Sequence, residues 1–264
     1  MEQNTTARVG DFCWVDCAAQ DPAAAQEFYG SLFGWSFEHD DNGGMPYITL
    51  KAGEQAIGGM YQLMDEQKEQ GVPPHWLGYV KVEELEPTLA KVGEHGGVVV
   101  MEPCEVPDHG RLAVVQDPTG ATFAMWQPGG HDGSAYCPDE GMPTWFECMT
   151  TDIGAATAFY SAVFGWGVAE HPTVDAGMNY KVFMNGEIPA GGCMQMGEEF
   201  GGAPSHWMVY FHVQDPDAVA ERIAAGGGNV FMPPMDVAGV GRFGGGMAPD
   251  GAAFSFIRLE MPPQ

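Results

Sequence analysis

Positive charge is what this chain has least of. Ten Lys and Arg stand against 36 Asp and Glu in 264 residues, a formal net charge of −26. A surface this acidic repels phosphate backbones and anionic lipid, so neither nucleic acid nor a membrane is expected as a partner. The charge reads as solubility or adaptation to salt and carries no information about fold. Long apolar runs are also lacking: none approaches the roughly 18 residues needed to span a bilayer. Met1 to Gly10 shows no basic stretch followed by an apolar one, so no signal peptide is expected. The six cysteines, Cys13, Cys17, Cys104, Cys137, Cys148 and Cys193, include no C-x-x-C pair and form no metal pattern. A soluble, reduced, cytoplasmic protein follows as the expectation. What remains is 45% hydrophobic with 38 Gly and 20 Pro, a globular composition with frequent turns and short elements.

The chain repeats itself at an offset of 131 residues. Asp16-Cys17 recurs as Glu147-Cys148. Asp21, Phe28-Tyr29 and Phe33-Gly34-Trp35 recur as Asp152, Phe159-Tyr160 and Phe164-Gly165-Trp166. His75-Trp76 recurs as His206-Trp207, Gly110-Arg111 as Gly241-Arg242, and Pro118, Gly120 and Phe123 as Pro249, Gly251 and Phe254. Six of the seven Trp pair off in this register. The reading is two homologous domains, 8–128 and 140–261, with residues 129–139 as linker.

Within each domain the local signals are coarse but consistent. Phe12 to Cys17 is a β-type run. Asp21 is a helix N-cap, Pro22 a first helical residue and Gly34 a stop, with Ala25, Phe28, Leu32 and Phe33 as the buried stripe. Asp152 to Gly165 repeats that helix. Strands are expected at Tyr47 to Lys51, Gln55 to Met60, Trp76 to Val82, Val98 to Met101, Arg111 to Gln116 and Thr122 to Trp126. A helix is expected over Leu85, Leu89 and Val92. Each domain thus reads βαβββ twice, and the class is α+β with largely antiparallel curved sheets.

An N-capping Asp, then F-Y, then F-G-W, with a D-P-x-G strand entry near the domain end, resembles the vicinal oxygen chelate superfamily. Glyoxalase I, extradiol dioxygenases, and bleomycin and fosfomycin resistance proteins belong to that group. The resemblance covers both domains. The tandem form with F-G-W in each half is similar to a bacterial subgroup of glyoxalase-like proteins labelled hydroxylases, some of which accompany polyketide tailoring. It implies two tandem glyoxalase-like domains, each of two βαβββ modules forming a curved-sheet cup. It also implies a divalent metal held in the cup by His, Gln or Glu on four strands. The matching positions here are Trp14 and Trp145, the Gly58-Gly59 and Gly191-Gly192 pairs, Leu77 and Met208, and Ala124 and Ser255. These side chains suit a divalent ion poorly. No metal ligands and no cofactor are therefore expected, with a divalent metal on displaced ligands kept as the alternative.

Strand alternation places Asp16 on the face of Trp14 and Glu147 on that of Trp145. The same parity puts His75 with Leu77 and His206 with Met208. Asp16, Glu147, His75 and His206 are the candidate catalytic groups, since a His–carboxylate pair can serve as general base. The bland reading of the two histidines is that they cap backbone or pack on Trp at a strand start. Trp14, Trp145, Leu77, Met208, Arg111 and Arg242 are the candidate substrate contacts. The arginines are offered as handles for an anion, against a plain pairing with surface acids. Cys13, Cys17 and Cys148 read as core. Asp108-His109 has no counterpart in the second half and reads as an exposed loop. The glycine triplets at 226–228 and 244–246 lack a phosphate-loop context.

The functional expectation is a binder of a small aromatic or hydrophobic molecule, monomeric or homodimeric, with metal-independent lyase or isomerase chemistry as an extension. A metal-dependent lyase or dioxygenase with displaced ligands is the alternative, and a partner-binding protein with filled cups is a further one.

Overall fold

The helix-capping signals translate directly into structure. In the computed structural model, which describes residues 6–40, 46–170 and 179–260, the Asp21 carboxylate accepts the N–H groups of Ala23 and Ala24 at 2.9 and 3.3 Å. This starts α1 (Pro22–Phe33), which stops at Gly34 with φ 72°. Asp152 caps α4 (Ile153–Phe164) through Ala155 at 2.9 Å, and Gly165 ends it at φ 73°. Both stops need a left-handed backbone that glycine adopts without a Cβ penalty.

The first half contains β1 (Phe12–Ala19), α1, β2 (Ser36–Asp40), β3 (Tyr47–Ala52), β4 (Gln55–Gln62), the short α2 (Asp65–Glu69), β5 (His75–Lys81), α3 (Leu85–Glu94), β6 (Val98–Val106), β7 (Gly110–Gln116) and β8 (Thr122–Pro128). The second half repeats it as β9 (Pro143–Thr150), α4, β10 (Gly167–Glu170), β11 (Tyr180–Asn185), β12 (Ile188–Gln195), β13 (His206–His212), α5 (Pro216–Ala225), β14 (Asn229–Val237), β15 (Gly241–Met247) and β16 (Ala253–Leu259). Each half builds one eight-stranded sheet, ordered β2-β3-β4-β1-β5-β8-β7-β6 and β10-β11-β12-β9-β13-β16-β15-β14. Within a module the first and last strands run parallel and the hairpins antiparallel. This is the expected α+β arrangement of two βαβββ modules per half. Two elements escaped the sequence reading, β2 and α2. The first is an edge strand with little buried surface, and the second is a five-residue polar helix with no apolar stripe.

Close contacts gather the chain into two units, each combining a module from either half. One comprises residues up to Trp14, Gly78–Ala135 and Trp145–Met208; the other comprises Val15–Leu77, Tyr136–Thr144 and Val209 onward. In the first unit α3 packs on α4, and the buried Tyr160 hydroxyl accepts from Trp207 Nε1 at 2.7 Å while donating to Asp117 Oδ2 at 3.0 Å. In the second unit α1 packs on α5, and Tyr29 accepts from Trp76 Nε1 at 3.0 Å. The F-Y tyrosine is thus the internal partner of a buried indole in both units, which removes the cost of burying that N–H. The F-G-W indoles are satisfied too, Trp35 on the carbonyl of Gly141 and Trp166 on that of Gly10, each at 2.9 Å.

The segment joining the halves is pinned. Ser134 N–H reaches Cys13 O at 2.8 Å, Trp126 Nε1 reaches His131 O at 2.9 Å, and Tyr136 Oη reaches Ile57 O at 2.9 Å. Cys13, Cys17 and Cys148 are fully buried, and Cys17 lies against Tyr29 of α1. No helix among the described residues is long and apolar enough to cross a membrane.

Candidate functional site

The same backbone pairing sets up a site in each half. On parallel neighbours β1 and β4, Asp16 lies opposite Gly59; on β9 and β12, Glu147 lies opposite Gly192. The antiparallel partners of those glycines are Thr49 and Val182. Two residues further along the same strands, and so on the same face, stand Tyr47 and Tyr180. Each tyrosine leans over its glycine. A Cβ on Gly59 would overlap the Tyr47 hydroxyl, and one on Gly192 the Tyr180 hydroxyl. The missing side chain is the space that the phenol fills.

The phenols meet the carboxylates. Tyr47 Oη donates to Asp16 Oδ1 at 2.7 Å. Tyr180 Oη donates to Glu147 and accepts from Trp145 Nε1 at 3.1 Å. Asp16 and Glu147 are buried, while Tyr47, Tyr180 and Trp145 keep part of their surface open. Burial, and next the Glu147 charge, push the Tyr180 hydroxyl far above the ordinary phenol range. Burial, and next the Asp16 charge, push Tyr61 up to about 12. Both phenols stay protonated at neutral pH, and that of Tyr180 donates to Glu147.

The remaining expected residues lie as follows. His75 and His206 open β5 and β13, and each donates Nδ1–H to a proline carbonyl two residues back, Pro73 and Pro204, at 2.8 Å. This leaves Nε2 as the lone-pair nitrogen of the neutral ring. Tyr47 donates to Asp16, and Tyr180 donates to Glu147. Leu77 is buried and Met208 half-buried. Arg111 is held by Glu86 of α3 at 2.6 Å and by Glu105, its cross-strand neighbour, at 2.9 Å. Arg242 repeats this with Asp217 of α5 at 2.7 Å and Asp236 at 2.8 Å. Each repeated arginine ties a hairpin to the first turn of a helix, and an anionic ligand would compete with two carboxylates for it. Trp14 meets the ring of His131 edge-on, centroids 4.8 Å apart. Burial lowers the pKa of His131, and His109 adds to the effect.

Sequence reading missed Tyr47 and Tyr180 because they are 133 residues apart. At an offset of 131, Tyr47 faces Met178. The signal was available in the glycine pairs, Gly58-Gly59 and Gly191-Gly192, which share the 133 offset. His131 was missed because it lies in the assumed linker.

A divalent metal of the family type does not fit these residues. The second ligand position is a glycine in both halves, and a tyrosine hydroxyl fills the space that any side chain there would occupy. A protonated phenol is a poor ligand, and the other matching positions supply Trp, Leu, Met, Ala and Ser. Among the described residues no group of three or more His, Cys, Asp or Glu is arranged to hold a metal ion.

With fold and site in place, comparison with known proteins defines the class. The family model of the Glyoxalase/Bleomycin resistance protein/Dioxygenase superfamily matches residues 13–125, and that of the bleomycin resistance protein-like N-terminal region matches residues 143–178. The chain belongs to this superfamily. It is 37% identical over 98% of both chains to CFP32 of Mycobacterium tuberculosis (strain CDC 1551 / Oshkosh), a protein with a provisional glyoxylase name. It is also 32% identical to the anthracycline biosynthesis protein DnrV of Streptomyces peucetius, covering 94% of this chain and 92% of that one. Among solved structures, the Mn(II)-bound glyoxalase from Novosphingobium aromaticivorans aligns with TM-score 0.64 at 17% identity, covering 96% of this chain and 83% of the other. The 2,3-dioxygenase LapB from Pseudomonas sp. KL28 aligns with TM-score 0.64 at 13% identity, covering 99% and 96%. At these identities the two structures share the fold with this chain.

Proposed function

We propose that the protein binds a small aromatic or hydrophobic organic molecule at its tyrosine–carboxylate sites, without a divalent metal. The observation that carries this reading is the overlap of the Tyr47 and Tyr180 hydroxyls with any side chain at Gly59 and Gly192, in both halves. A binding surface remains beside Glu147: a partly open indole, a phenol and one buried carboxylate, a mixture of apolar area with a few placed polar groups. Anthracycline biosynthesis, named for the Streptomyces relatives, handles polycyclic aromatic compounds and agrees with such a ligand. The acidity of the chain argues against nucleic acid and anionic membranes as partners, and its six unpaired cysteines suit a reducing cytoplasm. Isothermal titration with a panel of polycyclic aromatics tests the reading. Saturable binding that weakens in Trp145→Ala or Trp14→Ala supports it; no binding by any compound sinks it.

One observation favours chemistry at the same place. A buried carboxylate held by a protonated phenol is the arrangement of a general base with an oriented donor beside it. Glu147 and Asp16 would be the bases of a lyase or isomerase, and Glu147→Gln with folding intact would then abolish turnover. A metal-dependent lyase or dioxygenase with displaced ligands is the competing reading. Stoichiometric divalent metal in protein supplemented during expression would establish it.

A further inference from the structure

The segment between the halves crosses the first sheet strand by strand. Gly129 and His131 give their N–H groups to His109 O, just before β7, at 2.8 and 2.9 Å. His131 O accepts Trp126 Nε1 of β8 at 2.9 Å. Asp132 pairs with Lys81 Nζ of β5 at 3.0 Å, and Ser134 N–H reaches Cys13 O of β1 at 2.8 Å. These strands are neighbours in the order β1-β5-β8-β7. The backbone lies close on what it crosses. A Cβ on Gly133, at φ 77°, would meet Cys13 Cβ at 2.7 Å, and one on Gly130 would overlap Asp108 O. The His131 ring comes to rest edge-on to Trp14, its centroid 6.2 Å from that of the His109 ring.

The ionisable groups around that ring are not repeated in kind. At an offset of 131, Lys81, His109, His131 and Asp132 face His212, Val240, Pro262 and Pro263. In the closed arrangement His131 is neutral, because Nδ1 accepts Gly133 N–H at 3.2 Å and so carries no proton. Protonation sets a donor against a donor. It also adds a positive charge near His109 of the β6–β7 turn and Lys81 of β5, while Asp132 on the segment itself pulls the other way. The Cys13 thiol of β1, beside Gly133, is pushed up to about 12 by burial and stays neutral.

We propose that residues 129–135 form a pH-operated strap: protonation of His131 frees it from the first sheet and lifts the imidazole off Trp14. A ligand ring taking that place on Trp14 has to displace His131 first. The device is independent of the binding proposed above, whose failure would leave it in place. Burial, and next His109, hold the His131 pKa below its ordinary value while the strap is down, so the freed ring takes up a proton more readily and acid favours the open state. With an open-state pKa of about 6.5, lowering the pH to 5.5 raises the open population by up to about tenfold.

Native-state amide exchange on the full-length protein, followed by NMR and corrected for the intrinsic rate at each pH, tests it. The protection of Gly133 and Ser134 is expected to fall about three- to tenfold between pH 7.5 and 5.5. The fall should be the same with and without about 1 M urea, since a local opening exposes little surface and global unfolding much. The His131 ring, followed by its own NMR shifts, should titrate below about 6.5. In His131→Gln the protection should stay within about twofold across the range. Constant protection in the native protein, a fall that grows with urea, or a ring titrating at or above about 6.5 overturns the proposal. All three measurements use the unmodified protein and decide the matter even where the variant does not fold. A fall that persists in His131→Gln overturns it as well.

Discussion

Gly192→Ala puts the tyrosine-over-glycine geometry to a test of sign. The φ of Gly192 lies outside the left-handed region that disfavours alanine, and no steric objection comes from its own backbone. On chain entropy alone the substitution should stabilise the protein by about 0.4–1 kcal/mol. The structure demands the opposite, because the new Cβ overlaps the Tyr180 hydroxyl and crowds Trp145 Nε1 at 3.0 Å. Tyr180 must withdraw. Its bond to the buried Glu147 carboxylate is of the charged kind, about 1.5–3 kcal/mol, and the Trp145 bond adds about 1 kcal/mol. Net of the entropic gain, about 2–3 kcal/mol of destabilisation is expected, or roughly 4–12 °C in Tm for a chain of this size. Urea unfolding of native protein and variant measures it, with an unchanged m-value showing that stability alone has moved. Tyr180→Leu withdraws both the hydroxyl and the ring edge, so the double variant should be less destabilised than the sum of the singles by about 1 kcal/mol or more. Gly192→Ala as stable as the native protein, or more so, would refute the arrangement and with it the argument against a metal at that position.

Other consequences are more local. Tyr160→Phe leaves Asp117 without one partner and Trp207 without its acceptor, so it should cost about 2–4 kcal/mol in urea unfolding. Tyr29→Phe, with no such aspartate bond on its hydroxyl, should cost less. Arg242→Met should leave ligand affinity within about twofold, since the guanidinium serves Asp217 and Asp236; a tenfold loss by titration would return it to the site. Stability should fall on acidification from pH 7.5 to 5.5. The folded pKa of His131 is lowered mainly by burial, so its contribution is complete above the unfolded value near 6.5 and is lost as pH falls toward the folded one. Protonation would also turn Nδ1, which accepts Gly133 N–H at 3.2 Å, into a donor. His212, likewise lowered by burial, acts with the same sign. In His131→Gln the pH dependence should flatten, and an unchanged slope would show that this ring does not titrate there.

Much was written in short-range signals. The capping aspartates, the stop glycines and the apolar stripes settled α1 and α4, since a helix satisfies its backbone from residues a turn away. The repeat register and its paired tryptophans settled the tandem architecture. That the family's ligand slots hold Trp14, Trp145, Leu77, Met208 and Ala124 was also plain in the chain. The carboxylates were legible from strand parity. Their tyrosines were not, because strand partners are chosen by sheet register, and a local two-residue slip hid Tyr180 from the 131-residue repeat. The arginines show the same limit. Their recurrence is plain in the chain, but only the hairpin pairing and the position of α3 and α5 decided that acids hold them. By itself the sequence determined the modules, their caps and the acids. The tertiary structure decided what those acids touch, because a hydrogen bond between strands depends on which residues the sheet sets side by side.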